Sequence, residues 1–177
     1  GDLVAYSQQH EPAIIVAPQC PAGKKWVDVD WRANQHATPD QPSESMTLVF
    51  GLIQQLEGTH PINADRLYVT GLSMGGYGTW DVIQRQPNRW AAAIPVCGGG
   101  DSRAESVKPI KAMPIWVFHG DADGAVPVIR SRDMVASLKQ VNSPVKYTEY
   151  PGVGHNSWTA TYRNPDVLKW LFEQNRR

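Results

Sequence analysis

Short apolar runs alternating with longer segments of helical period constrain the fold of this 177-residue chain more than any other feature. Runs at 13–17 (AIIVA), 66–70 (RLYVT), 91–96 (AAAIPV), 114–118 (PIWVF) and 145–150 (VKYTEY) read as strands. The first four are nearly unbroken in apolar residues, as strands covered on both faces should be. The fifth alternates and suits a position nearer a sheet edge. Between the runs, 44–57 carries Met46, Val49, Phe50, Ile53 and Leu56 on one helical stripe. Segment 74–86 follows a glycine-rich turn and stops before Pro87, whose ring would remove a helical hydrogen bond. Segment 128–141 places Met134, Val135, Leu138 and Val141 on one side, and 165–175 opens with Asn164 as N-cap and Pro165 in the first helical position. This order predicts an α/β fold: a mostly parallel sheet of about five strands with helices on both faces. No linker or repeat divides it, so residues 1–177 read as one domain.

An apolar content of 41 % with 19 % charged residues fits an ordinary globular chain. Seventeen basic and seventeen acidic side chains cancel, and no cluster of Lys and Arg offers the footprint of a nucleic-acid partner. No apolar run approaches the roughly 18 residues of a membrane span. The opening Gly-Asp-Leu-Val-Ala-Tyr lacks the basic and apolar regions of a signal peptide, which leaves secretion and cytoplasm both open. Cys20 and Cys97 form neither a disulfide framework nor a metal-ligand spacing. The expectation is two buried or pocket-edge thiols and no metal, with a single bridge as the alternative.

Ligands of such sheets bind at the carboxyl ends of the strands. After the run at 66–70 comes Gly71-Leu72-Ser73-Met74-Gly75-Gly76, which matches G-x-S-x-G. Glycines two before and two after the serine let a strand turn sharply into a helix, lifting the Ser73 hydroxyl above the sheet. The Met74 backbone N–H then points where an oxyanion would form, reinforced by the helix amino end. The plainer alternative is a serine in a glycine-rich helix start. A nucleophilic serine needs a base, itself oriented by a carboxylate. Downstream stand His119 and His155. His155 closes the glycine-rich loop Pro151-Gly152-Val153-Gly154 after the last run and is the expected base. Asp123, deep in the loop after 114–118, is favoured as the acid over Asp121, which is placed to fix the turn through backbone N–H groups. Asp101 ranks third, and His119, preceding both aspartates, reads as structural. The run Gly98-Gly99-Gly100 lacks the lysine and hydroxyl residue of a phosphate loop, so no nucleotide cofactor is expected. Trp26, Trp31 and Trp158 are candidates for lining a substrate pocket, with loop packing as the alternative for each. Trp80, Trp116 and Trp170 fall in core elements, and Trp90 is unassigned.

GLSMGGYGTW, FHGDADGAVPV, YPGVGH and the APQCP after the first run together resemble small α/β-hydrolase esterases. The groups they are similar to are the polyhydroxybutyrate-depolymerase-like and feruloyl-esterase-like carboxylesterases, often labelled predicted peptidases of the prolyl-oligopeptidase type. The resemblance implies a cofactor-free serine hydrolase acting on small-molecule carboxylic esters. Its H-G-x-x-D-x-x-V-P pattern places the acid on Asp123, beside Ser73 and His155, with Met74 N–H at the oxyanion. It also implies three earlier strands and a His-Gly-x-Gly-like loop, neither of which precedes residue 13 here. The expectation is therefore an N-terminally incomplete sheet with activity reduced or lost. Either 13–17 and 66–70 pair directly, or a second copy or a missing N-terminal segment completes the sheet. A peptidase or acyltransferase on the same scaffold, or a non-catalytic binding domain, are the alternatives.

Overall fold

The computed structural model describes residues 1–176. Four parallel strands lie in sequence order: β1 (Tyr68–Leu72), β2 (Ala92–Val96), β3 (Trp116–Gly120) and β4 (Lys146–Tyr150). Parallel neighbours need crossover connections, and helices supply them. Helix α3 (Met74–Arg85) links β1 to β2, α4 (Ala104–Val107) with a 3-10 turn at Lys108–Ile110 links β2 to β3, and α5 (Ile129–Gln140) links β3 to β4. Helix α1 (Asp2–His10) and α2 (Glu44–Thr59) precede the sheet; α6 (Trp158–Arg163) and α7 (Pro165–Phe172) follow it. The capping expected from sequence is present. Ser43 accepts from the Met46 N–H at 3.0 Å to open α2, and Asn164 accepts from the Asp166 N–H at 3.0 Å to open α7.

Strand pleating splits the core into two layers. Ala93, Ile115 and Val117 point to the face covered by Met46, Val49 and Phe50 of α2, Trp80 and Ile83 of α3, and Met134 and Leu138 of α5. Ala92, Ile94, Val96 and Phe118 point to the opposite face, beneath Val167 and Leu171 of α7 with Leu3 of α1. Helices on both faces match the expected architecture, and they explain why the β2 run is apolar at every position: all five of its residues are buried. Trp80 and Trp90 are buried, whereas Trp116 and Trp170 are half-buried, with the Lys146 ammonium 3.7 Å from the Trp116 ring.

Three expectations are corrected. Residues 13–17 form no strand, so the sheet has four strands and not about five. The run lies in irregular, exposed chain, with Ile14 53 % exposed. An apolar run becomes a strand only where a neighbour takes up its backbone hydrogen bonds, and no described strand does so here. For the same reason β1 is an edge strand, half-buried where two covered faces were expected. Helix α1 carries only a weak apolar stripe, and the sequence reading assigned no element there.

Pro95 lies inside β2, a central strand, and has no N–H. The Ala93 N–H donates to Pro114 O at 3.0 Å and the Cys97 N–H to Phe118 O at 2.8 Å, while the intervening rung is missing. That gap leaves Val96↔Phe118 and the bridge Ala93↔Ile115 as the pairing of β2 with β3. At the same end, α3 packs flush on the sheet. A methyl on Gly76 would stand 2.4 Å from Val96 O, and one on Gly98 would stand 2.5 Å from the Gly76 carbonyl carbon. Gly76→Ala should therefore lower unfolding free energy by about 2 kcal/mol through overpacking, read as a lower Tm. An unchanged Tm would contradict this close approach.

Candidate active site

Three loops at the carboxyl ends of β1, β3 and β4 bring Ser73, Asp123 and His155 together. Ser73 sits between β1 and α3 with φ 52° and ψ −116°, a left-handed conformation that costs a serine energy and persists only where neighbours hold it. Its N–H donates to Val96 O at 3.0 Å and to the Cys97 Sγ at 3.3 Å. The glycines around it act differently from the simple motif reading. A methyl on Gly71 would lie 2.3 Å from Gly75 O, so that glycine is sterically required. Gly75 faces open space, and the second forced position is Gly76.

The Ser73 Oγ lies 2.8 Å from His155 Nε2, and His155 Nδ1 lies 2.7 Å from Asp123 Oδ2. The Asp123 carboxylate is fully buried and the His155 side chain is 29 % exposed, so the chain of groups opens to solvent at the serine end. Burial pushes the Asp123 carboxyl up. Hydrogen bonds from His155 and from the N–H groups of Val126 and Ala125 outweigh it and hold the carboxyl below its usual range. Those backbone contacts, to Oδ1, measure 2.9 and 2.8 Å. His119 Nε2 stands 3.2 Å from the same Oδ2 that His155 uses.

Asp121 bonds a backbone N–H, though across to another loop and not within its own turn. Its Oδ1 accepts from the Gly152 N–H at 2.6 Å, and the Ala122 N–H donates to Val153 O at 3.1 Å, so the loops carrying Asp123 and His155 are stitched together. Asp101 does not join the group. It is buried and takes hydrogen bonds from Arg103, Ser106 and the Thr38 N–H; these overcome burial and hold its carboxyl well below the usual range.

Met74 is the first residue of α3, directly after Ser73, so its N–H has no partner within the helix. Trp158 meets the His155 ring edge-on, with centroids 5.3 Å apart and planes at 88°. Trp26 lies against Gly78 and the core, and Trp31 packs with Val27, Tyr77 and Val126. The sequence reading did not place Cys97 under the Ser73 N–H. Its positive φ of 40° follows Pro95 and Val96 too closely for any motif to announce it. Both cysteines are free and buried. Candidate ligand atoms of Cys97, Asp123 and His155 lie within 4.8 Å of one another. Burial pushes the Cys97 thiol up to about 11, so the thiol is protonated, and Asp123 and His155 are already bonded to each other.

Behind the serine, an irregular segment is strapped to α3 and α5. The Tyr77 hydroxyl donates to Trp31 O at 2.9 Å, and the buried Arg130 guanidinium donates to His36 Nδ1. Burial first, and Arg130 second, lower His36 from 6.5 to about 4. The neutral ring therefore contributes stability that is complete above pH 6.5 and lost as pH falls toward 4. His36→Asn should flatten that part of a Tm-against-pH curve. A slope equal to the parent's would contradict the assignment.

The model of the dienelactone hydrolase family matches residues 31–168. A thermostable esterase of known crystal structure superposes with a TM-score of 0.81 at 42 % identity, over 90 % of this chain and 43 % of that one. The poly(3-hydroxyoctanoate) depolymerase of Pseudomonas fluorescens is 29 % identical over 97 % of this chain and 62 % of its own length. The Arabidopsis thaliana protein SOBER1, at 22 % identity and a TM-score of 0.60, shares the fold, the match covering 83 % of this chain and 70 % of that one. This chain thus spans less than two thirds of both the depolymerase and the thermostable esterase. Among the described residues no helix is long and apolar enough to cross a membrane. The matched segment includes every residue of the three converging loops, and the chain belongs to the dienelactone hydrolase family, with an α/β-hydrolase fold.

Proposed function

We propose that this chain carries the catalytic centre of a serine hydrolase that cleaves small-molecule carboxylic esters through an acyl-enzyme. The observation that supports this most is the unbroken hydrogen-bonded path from the Ser73 hydroxyl through His155 to Asp123, at 2.8 and 2.7 Å. In this reading Ser73 Oγ attacks the acyl carbon while His155 Nε2 takes its proton. Asp123 holds the imidazole in the Nδ1–H tautomer and stabilises the imidazolium as it forms. The Met74 N–H donates to the developing oxyanion, an interaction class worth about 3 kcal/mol of barrier. His155 then returns the proton to the departing alkoxide. Water, deprotonated by the same ring, attacks the acyl-enzyme, releasing the acid and restoring the Ser73 hydroxyl. A hydroxyl, an imidazole and a carboxylate suffice for each of these steps.

The left-handed backbone at Ser73 supports the same reading. Strain of this kind is retained where it aims a group, and here it turns the hydroxyl out of the sheet toward His155. The names borne by the similar proteins, an esterase and a polyester depolymerase, point to ester bonds as the substrate class. Trp158, edge-on to His155, is the tryptophan nearest the reacting groups in contact terms and the favoured pocket wall. Trp26 and Trp31 act in this proposal at one remove, by holding the chain behind Ser73.

Hydrolysis of p-nitrophenyl esters, compared with prolyl and other amides, tests the proposal. Ser73→Ala and His155→Ala should each lower kcat by several orders of magnitude, and the double variant should lose little more, because the groups act as one unit. Asp123→Asn should cost about 10⁴-fold by disfavouring the needed tautomer, far more than Asp121→Asn. The reverse order would move the acid to Asp121. Amide turnover exceeding ester turnover would overturn the substrate class.

A further inference from the structure

His119 stands outside the proton path described above, yet it is completely buried and shares an oxygen with it. Its Nε2 faces two acceptors, Asp123 Oδ2 at 3.2 Å and Val126 O at 3.1 Å. A ring nitrogen facing two acceptors must carry hydrogen. Nδ1 lies 2.8 Å from the Ser131 Oγ, and Ser131 Oγ also lies 3.2 Å from Gly98 O. Burial, with His155 adding to it, keeps His119 below its ordinary value and therefore neutral. A neutral ring with hydrogen on Nε2 accepts at Nδ1, so the Ser131 hydroxyl divides its one hydrogen between His119 and Gly98 O. The tautomer is fixed from α5, and the Nε2–H is aimed at the loop after β3.

The consequence lies at Asp123. Its Oδ2 serves His155 and His119 at once, while its Oδ1 is held by two backbone N–H groups. We propose that His119 is a positioning residue: its Nε2–H locks the Asp123 carboxylate in plane with His155 and withdraws charge from the oxygen that would otherwise stabilise the His155 imidazolium more strongly. This rests on the hydrolase reading of Ser73, His155 and Asp123. The other charged or titratable groups around the pair are few. Glu149 lies opposite His119 in the β3–β4 register and is paired with Arg132 of α5 at 2.6 Å. Cys97 at the end of β2 and Tyr77 of α3 face Asp123, and both are pushed up, chiefly by burial. None of them reaches Oδ2 within hydrogen-bond distance among the described residues, so the fine control of that oxygen falls to the two imidazoles.

The test titrates the His155 ring by NMR in the full chain, beside kcat and KM on a p-nitrophenyl ester. In His119→Leu the donor is lost, charge returns to Oδ2, and the His155 titration midpoint should move to higher pH. The acidic limb of kcat/KM should follow it, and kcat should fall about 10–100-fold with KM little changed, since loosened geometry costs turnover more than binding. His119→Gln, whose amide can reach the Nε2 position, should restore the midpoint. If the leucine variant does not fold, Ser131→Ala decides: freeing the tautomer should shift the midpoint in the same direction by less. A folded leucine variant, or failing that the Ser131→Ala protein, with the parent's His155 midpoint would overturn the proposal and leave His119 a packing residue. Failure of the hydrolase reading looks different: the parent protein itself would turn over no ester, whatever its His155 titration shows.

Discussion

A carboxylate removed from water with no lysine or arginine paired to it among the described residues is the constraint around which this molecule is arranged. The Asp123 side chain is fully buried, and its neighbours supply two backbone N–H groups and two imidazoles in place of a cation. Burying such a charge is costly unless its acceptor sites are filled. Filling them requires the Asp123 loop to close on itself through Ala125 and Val126. It also requires β3 to end on His119 and the β4 loop to present His155. The stitch between Asp121 and Gly152 and the closeness of Gly120 to Val153 O serve that meeting of loops. With the loops joined, His155 has one direction left for its second nitrogen, toward Ser73.

The Ser73 side of the site is built from steric exclusion. Gly71 and Gly76 admit no side chain, Ser73 takes a left-handed backbone, and Cys97 takes another directly opposite. Val96 O and the Cys97 Sγ hold the Ser73 N–H, so the strain at the elbow is resisted from the neighbouring strand end. Pro95 removes one rung of the β2–β3 ladder just before this point, and the ladder resumes at the Cys97 N–H to Phe118 O. Fold and chemistry therefore depend on the same few residues at one rim of the sheet.

Much of this was legible in the residues themselves. Three nearly unbroken apolar runs and one alternating run located four strands, and the segments at 44–57, 74–86 and 128–141 located the helices that cover them. Asn164-Pro165 marked the start of α7 correctly, because capping is a local property. The run at 13–17 was misleading for a non-local reason: AIIVA has strand composition, but strand formation needs a partner elsewhere in the fold. Helix α1 was missed because polar residues interrupt its apolar stripe, and it packs mainly through Leu3 and Tyr6, the latter stacked on Phe172 at 5.9 Å. Gly75 seemed essential from the motif, whereas Gly76 bears the contact, since only packing reveals which glycine meets the next strand. His119 opens the H-G-x-x-D-x-x-V-P pattern and ends a strand, but neither feature states its role; its significance lies in sharing one oxygen with a residue 36 positions downstream in sequence.

In the proposed reading Ser73 is an activated nucleophile, made so by His155 and Asp123. Covalent labelling by a fluorophosphonate, with the modified residue located by mass spectrometry, reads that claim without reference to any natural substrate. The account predicts one label, on Ser73, absent from Ser73→Ala and strongly slowed in His155→Ala. A properly folded protein whose Ser73 stays unmodified under conditions that label a known serine esterase would contradict it.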